Sequence, residues 1–166
     1  LYVKSSEVER KKNSTSTIYT EKNGHKKKVV VLGIDKSVHE TAQSSFERQV
    51  TPMRRLEHPN IVRYLGSFQD PNKRYIVMEH TTGGNLEDLL KKNGVIEEGD
   101  VVLIIWQLLS AIDLMHSQNI VHKDIKPRNI LFDLHGNVKL GDFGLAKVLD
   151  SETPQGYTQI YSEEYA

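Results

Sequence analysis

The most regular apolar pattern lies over residues 100–116, where Val101, Ile105, Leu108, Ile112 and Met115 step by four, three, four and three positions. That spacing lines one stripe of a helix and predicts a packed helix with those five residues inward. A shorter run, residues 28–34, is rich in β-branched side chains and reads as a buried strand. Phe46, Val50, Met53 and Leu56 also recur at helical spacing, but Pro52 sits among them. An interior proline costs a helix about 3 kcal/mol, so a kinked or short helix is expected there. Residues 62–68 and 75–79 read as strands joined through Asp70-Pro71-Asn72. Gly83-Gly84 breaks the chain, and Asn85, with Asp88 three positions on, can cap a short helix ending near Gly94. Residues 130–132 and 138–140 read as short strands around the turn His135-Gly136-Asn137. The first twenty-eight residues are polar and lysine-rich, with hydroxyl residues clustered from Ser14 to Thr17, and read as a mobile, solvated arm. The order of elements suggests an α+β domain of two lobes.

Composition narrows this little. Lys and Arg balance Asp and Glu at 22 each, so no long-range field draws the chain to nucleic acid, and no nucleic-acid partner is expected. The absence of cysteine excludes a disulfide framework and thiolate metal sites, and fits a reducing compartment. The longest uninterrupted apolar runs, residues 29–32 and 101–106, are too short to span a bilayer, so no membrane span is expected. The chain opens on Leu1 without a signal-peptide pattern and reads as an excerpt of a longer parent chain.

The chemistry is concentrated in His122-Lys123-Asp124-Ile125-Lys126-Pro127-Arg128-Asn129, followed thirteen residues after Asn129 by Asp142-Phe143-Gly144. This combination resembles the catalytic loop and magnesium motif of eukaryotic-type protein kinases. The resemblance implies an α+β, protein-kinase-like two-lobe fold. Its small lobe would occupy residues 1–79, its hinge 80–82, and a partial large lobe 83–166. It also implies ATP and Mg2+ as cofactors, and phosphoryl transfer, which depends on positioned charge more than covalent help. Asp124 would accept or orient the proton of the attacking hydroxyl, and Lys126 would balance charge on the γ-phosphate. Asn129 and Asp142 would hold magnesium through hard oxygens. Lys126-Pro127 is similar to the serine/threonine branch. Upstream, His58-Pro59-Asn60-Ile61-Val62 resembles the segment leaving the regulatory helix. Tyr75-Ile76-Val77-Met78-Glu79 resembles the strand entering the hinge, with Met78 as gatekeeper. The backbone of Glu79 and Thr81 would then meet adenine, with Val30 and Leu131 against its two faces. Leu140-Gly141-Asp142-Phe143-Gly144-Leu145-Ala146 is similar in wording to NIMA-related kinases. The implied partners are a protein substrate or a regulatory protein, in cytoplasm or nucleus.

Several positions depart from the family pattern. The glycine-loop positions fall on Lys11, Asn13 and Ser16, whose side chains would hinder backbone amides from closing on phosphates. Leu32 stands where the phosphate-binding lysine belongs, and Gln49 where its glutamate partner belongs. Lys28 and Lys36 each lie four residues from Leu32, about 13 Å along a strand and beyond a lysine's reach. Lys123 replaces the arginine usual before the catalytic Asp, which removes bidentate phosphate recognition. Thr153, Tyr157, Thr158 and Tyr161 are candidate phosphosites. No Ala-Pro-Glu motif is seen before Ala166, so the long helix is expected to expose an apolar face. Two functions follow: an ATP-dependent serine/threonine kinase domain with weakened nucleotide binding, or a pseudokinase serving as a regulatory or scaffolding module.

Overall fold

Five antiparallel strands and one helix build the first half of the molecule. The computed structural model describes residues 2–11, 14–21, 27–36 and 41–149. Strands β1 (Tyr2–Lys11) and β2 (Ser14–Glu21) pair as a hairpin, and β2 continues onto β3 (Lys28–Asp35). The polar N-terminal stretch is therefore sheet where a solvated arm was expected. Thr15, Thr17 and Tyr19 alternate with Ser16 and Ile18, and the ladder to β3 satisfies their backbone groups. Thr17 is only 7% exposed.

Helix α1 (Thr41–Arg55) follows, then β4 (Tyr64–Gln69) and β5 (Lys73–Glu79), giving the sheet order β1-β2-β3-β5-β4. Pro52 does not shorten α1 to a fragment. It lies in the last part of the helix, removes a single backbone donor, and is fully buried, so its ring contributes to the core. Phe46, Val50, Met53 and Leu56 are buried with Ile34 and Ile76, which is the face the spacing predicted.

The chain then enters the second lobe. Helix α2 (Leu86–Asn93) is capped by Asn85, whose Oδ1 accepts the Asp88 N–H at 2.8 Å. It stops at Gly94, which takes φ 75° and donates its N–H to the Leu90 carbonyl. Helix α3 (Glu98–Ser117) packs against β6 (Ile120–Val121) and, further on, β8 (Val138–Leu140). Strand β7 (Ile130–Phe132) pairs with β8 across a turn at Gly136, φ 81°. Strand β9 (Lys147–Val148) pairs with β6.

The inward stripe of α3 differs from the expected one. Leu108, Ala111 and Met115 are buried, with Ile104, Ile112 and Leu114 partly so, whereas Val101 and Ile105 are exposed. The buried side chains of the helix, Leu108, Ala111 and Met115, all lie in its second half, and of its first half Ile104 packs on the core and Gln107 bonds to β8. Trp106, 73% exposed, and Leu109 complete the open apolar face that was anticipated. With 20 residues, α3 is long and apolar enough by composition to cross a membrane, although uninterrupted apolar runs had suggested that no segment was. Here it serves as a helix of the second lobe.

A short connection locks the lobes together. Val62 N–H donates to the Leu140 carbonyl and Leu140 N–H donates to that of Asn60, both at 2.9 Å. The buried Asn60 amide donates to the Val138 carbonyl at 3.0 Å and to Gln107 Oε1 at 2.9 Å. Gln107 Oε1 also accepts the Val138 N–H. Local sequence set Asn60 in a family-like segment but offered no signal for its bond to Gln107, because 47 positions separate them.

Candidate active site

The loop between β6 and β7 is organised by His122, 2% exposed. Its Nε2 lies 2.9 Å from the Gly141 carbonyl, and its Nδ1 accepts the Asp124 N–H at 3.3 Å. This pattern requires the neutral Nε2–H form, and burial lowers the His122 pKa accordingly. The ring also rests against Phe143, with centroids 5.0 Å apart. One imidazole thus ties the catalytic loop to the segment that carries Asp142.

Asp124 is 9% exposed and points into a small polar cluster. Lys126 Nζ lies 3.1 Å from Asp124 Oδ1, while Asn129 Nδ2 donates to Asp124 Oδ2 at 2.9 Å and to its carbonyl at 2.8 Å. Pro127–Asn129 forms a 3-10 turn, closed by Asn129 N–H donating to the Lys126 carbonyl. Proline suits that start, where no N–H is needed. Both amide hydrogens of Asn129 are spent on Asp124, so Oδ1 is the atom left to offer a cation. The Asn129 carbonyl accepts the Gly141 N–H at 2.9 Å, which brings Asp142 beside the loop. Asp142 adopts a left-handed backbone, φ 55°, and its Oδ1 accepts the Gly144 N–H at 3.2 Å. The neighbouring Arg128 donates to Glu87 of α2 at 2.9 Å. Arg128 and, next, Lys91 hold the Glu87 carboxyl down at about 2.

The apolar site residues are also brought to one region. Val30 pairs with Met78 across β3 and β5, and Glu79 ends β5. Thr81 lies in the irregular segment beyond. Gly83 and Gly84 then exchange backbone hydrogen bonds with Phe132, and Asn85 bridges to Leu131. Leu131 is thereby set beside the segment that follows β5. Gly83 is required by this approach, since a Cβ there would meet the Asp133 carbonyl at 2.6 Å.

The structure describes most of the positions that depart from the family pattern. Leu32 lies between Ser16 and Ile76 in the sheet and packs, half-buried, on the core. Gln49 sits beside the magnesium motif, its amide nitrogen 3.6 Å from where a Cβ on Gly144 would stand. Lys36 is turned away, donating to the Asp70 carbonyl at 2.6 Å. Lys28 lies by the hinge, where its charge, after burial, depresses His80. Lys11 pairs with Ser14 at the end of the first hairpin. Asn13 and the candidate phosphosites Thr153, Tyr157, Thr158 and Tyr161 lie outside the described residues.

A fold with this sheet, hinge and loop is that of a protein kinase, and comparison with known proteins agrees. The protein kinase domain family matches residues 12–166. The chain is 38% identical over 126 residues to a calcium/calmodulin-dependent protein kinase type 1 of Macrobrachium nipponense, covering 74% of this chain and 36% of that protein. It is 42% identical over 110 residues to a cell cycle serine/threonine-protein kinase of Saccharomyces cerevisiae, covering 66% of this chain and 16% of the relative. It is 38% identical over 127 residues to the mitogen-activated protein kinase kinase kinase YODA of Arabidopsis thaliana, covering 76% and 14%. The chain belongs to the protein kinase domain family and is, by family resemblance, a serine/threonine protein kinase domain. It spans little more than a third, or less, of the length of these relatives.

Proposed function

We propose that this domain, within a longer protein, transfers the γ-phosphoryl group of ATP to serine or threonine hydroxyls of protein substrates, with weakened grip on the nucleotide. The observation that carries this reading is the joined cluster of Asp124, Lys126, Asn129 and Asp142. The cluster is built through His122, Gly141 and Asn129 rather than scattered. In this reading Asp124 takes the hydroxyl proton as the substrate oxygen bonds to phosphorus and the bond to the ADP oxygen breaks. Lys126, already paired with Asp124, offers its charge to the phosphoryl oxygens.

Magnesium fits the donors present. Among the described residues no three His, Asp or Glu converge as a dedicated cage. Asn129 Oδ1 and the Asp142 carboxylate form a sparse, hard-oxygen pair, which suits an ion that keeps waters and phosphate oxygens as its other ligands. When bound, it would neutralise charge on the phosphates. In this reading Val30 and Leu131 sandwich adenine, and the backbone at Glu79 and Thr81 bonds its edge. The cysteine-free composition is in keeping with a cytosolic or nuclear setting.

Leu32 and Gln49 favour a second reading, a pseudokinase that regulates or scaffolds other proteins. Phosphate transfer by the longer protein to a protein substrate separates the two. In a kinase, Asp124→Asn should slow transfer about a hundred- to ten-thousandfold while ATP binding holds. Asp142→Asn should weaken the magnesium-dependent part of binding as well. Wild-type transfer indistinguishable from both variants would remove the kinase reading and leave the scaffold.

A further inference from the structure

We propose that Lys139 is a positioning residue for the purine site. By clamping Glu79 across the two lobes, it sets where the hinge strand presents its backbone to an adenine base. This rests on the adenine-binding reading above, and deepens it.

Lys139 is the middle residue of β8, and its Nζ lies 2.8 Å from Glu79 Oε1, the last side chain of β5. Both partners are sheltered, at 14% and 26% exposure, so the pair is screened less than a surface bridge. The same Glu79 oxygen accepts the Arg63 N–H at 2.8 Å, and the Arg63 carbonyl accepts the Glu79 N–H at 3.0 Å. Glu79 is therefore fixed from two sides, by backbone of its own lobe and by a cation of the other.

The opposite end of the link is equally specific. Lys139 stands directly across from Leu131 in the β7–β8 ladder. A single ammonium thus joins β8, the partner strand of Leu131, to the last residue of β5. The other described interlobe bonds run from Arg55, His58 and residues 60–62 to Gln118, Ser110, Gln107 and β8, and none of them ends on Glu79. They hold the lobes together without fixing Glu79. A sheltered ion pair contributes little net stability once desolvation is counted, so geometric control is the more fitting role.

The test uses the longer protein that carries this domain, with adenosine and magnesium–ATP as probes in calorimetry, and circular dichroism to confirm folding. Lys139→Met should weaken adenosine binding about tenfold, and in a transfer assay raise KM for ATP while kcat holds. Lys139→Arg, which keeps the cation and its reach, should stay within about threefold of wild type. Glu79→Gln should weaken adenosine in the same direction, and adding it to Lys139→Met should cause no further loss. Should Lys139→Met fail to fold, Glu79→Gln and Lys139→Arg carry the comparison. A folded Lys139→Met or Glu79→Gln that binds adenosine as wild type does, even with a lower melting temperature, overturns the positioning role alone. Wild-type protein that binds neither probe overturns the adenine reading, and this inference with it.

Discussion

Replacing Leu32 by lysine and Gln49 by glutamate asks whether the domain's weak phosphate grip comes from these two positions. Leu32 is half-buried on the core, so Leu32→Lys alone loses part of a contact worth about 1.5–3 kcal/mol and strands an ammonium near apolar Ile76 and Met78. Gln49→Glu alone sets a carboxylate beside Gly144 and within the field of Asp142, so it too should destabilise. Together the new charges can pair, and a charge-assisted bond of this kind is worth about 1.5–3 kcal/mol. For a chain of this size that corresponds to a melting temperature about 3–12 °C above the value expected from adding the two single effects. The same ammonium would reach phosphate, so ATP affinity should rise about ten- to a hundredfold in the double variant and in neither single one. Thermal denaturation of all four proteins, with and without magnesium–ATP, completes the cycle. Additivity within about 0.5 kcal/mol, with unchanged ATP affinity, would refute the reasoning. It would move the defect to the glycine-free hairpin turn.

Acid should destabilise the domain through its buried histidine. The His122 pKa is depressed by burial from an unfolded value near 6.5, so above that pH both states are neutral and its contribution is constant. Below it the unfolded chain takes up the proton first, and stability should fall by up to about 1.4 kcal/mol per pH unit for this group. His122→Gln should flatten that limb in a denaturation series, and an unchanged slope would count against the neutral-imidazole assignment. Asn60→Ala leaves the Val138 carbonyl and the Gln107 amide oxygen short of a donor, and should cost about 1–3 kcal/mol in chemical denaturation. A change below about 0.5 kcal/mol would mean water replaces the amide freely and the interlobe connection is not rigid.

Much of the site was readable because its residues lie close in sequence. Asp124, Lys126 and Asn129 occupy one six-residue loop, and the structure closes that loop with their own side chains. Asn85 and Gly94 bound α2 through bonds to residues three and four positions away, so their roles are legible from spacing alone. The gatekeeper, hinge and floor assignments depended on family resemblance, and the β3–β5 ladder supplies the register that makes Val30 and Met78 neighbours.

What the linear chain did not disclose depends on partners distant in sequence. Residues 2–11 are polar enough to read as solvated, yet they form a strand because β2, itself held by β3, provides a ladder for their backbone groups. Pro52 signals a broken helix locally, but its burial in the core offsets the lost hydrogen bond. The stripe of α3 follows its period, while the face that is covered depends on where β6 and β8 dock. The Glu79–Lys139 clamp spans sixty positions, and nothing near either residue announces the other. Local interactions are encoded by spacing, because the backbone geometry of a turn or helix is the same everywhere. Which side chains meet across the lobes is settled only when the sheet and helices pack and exclude water between them.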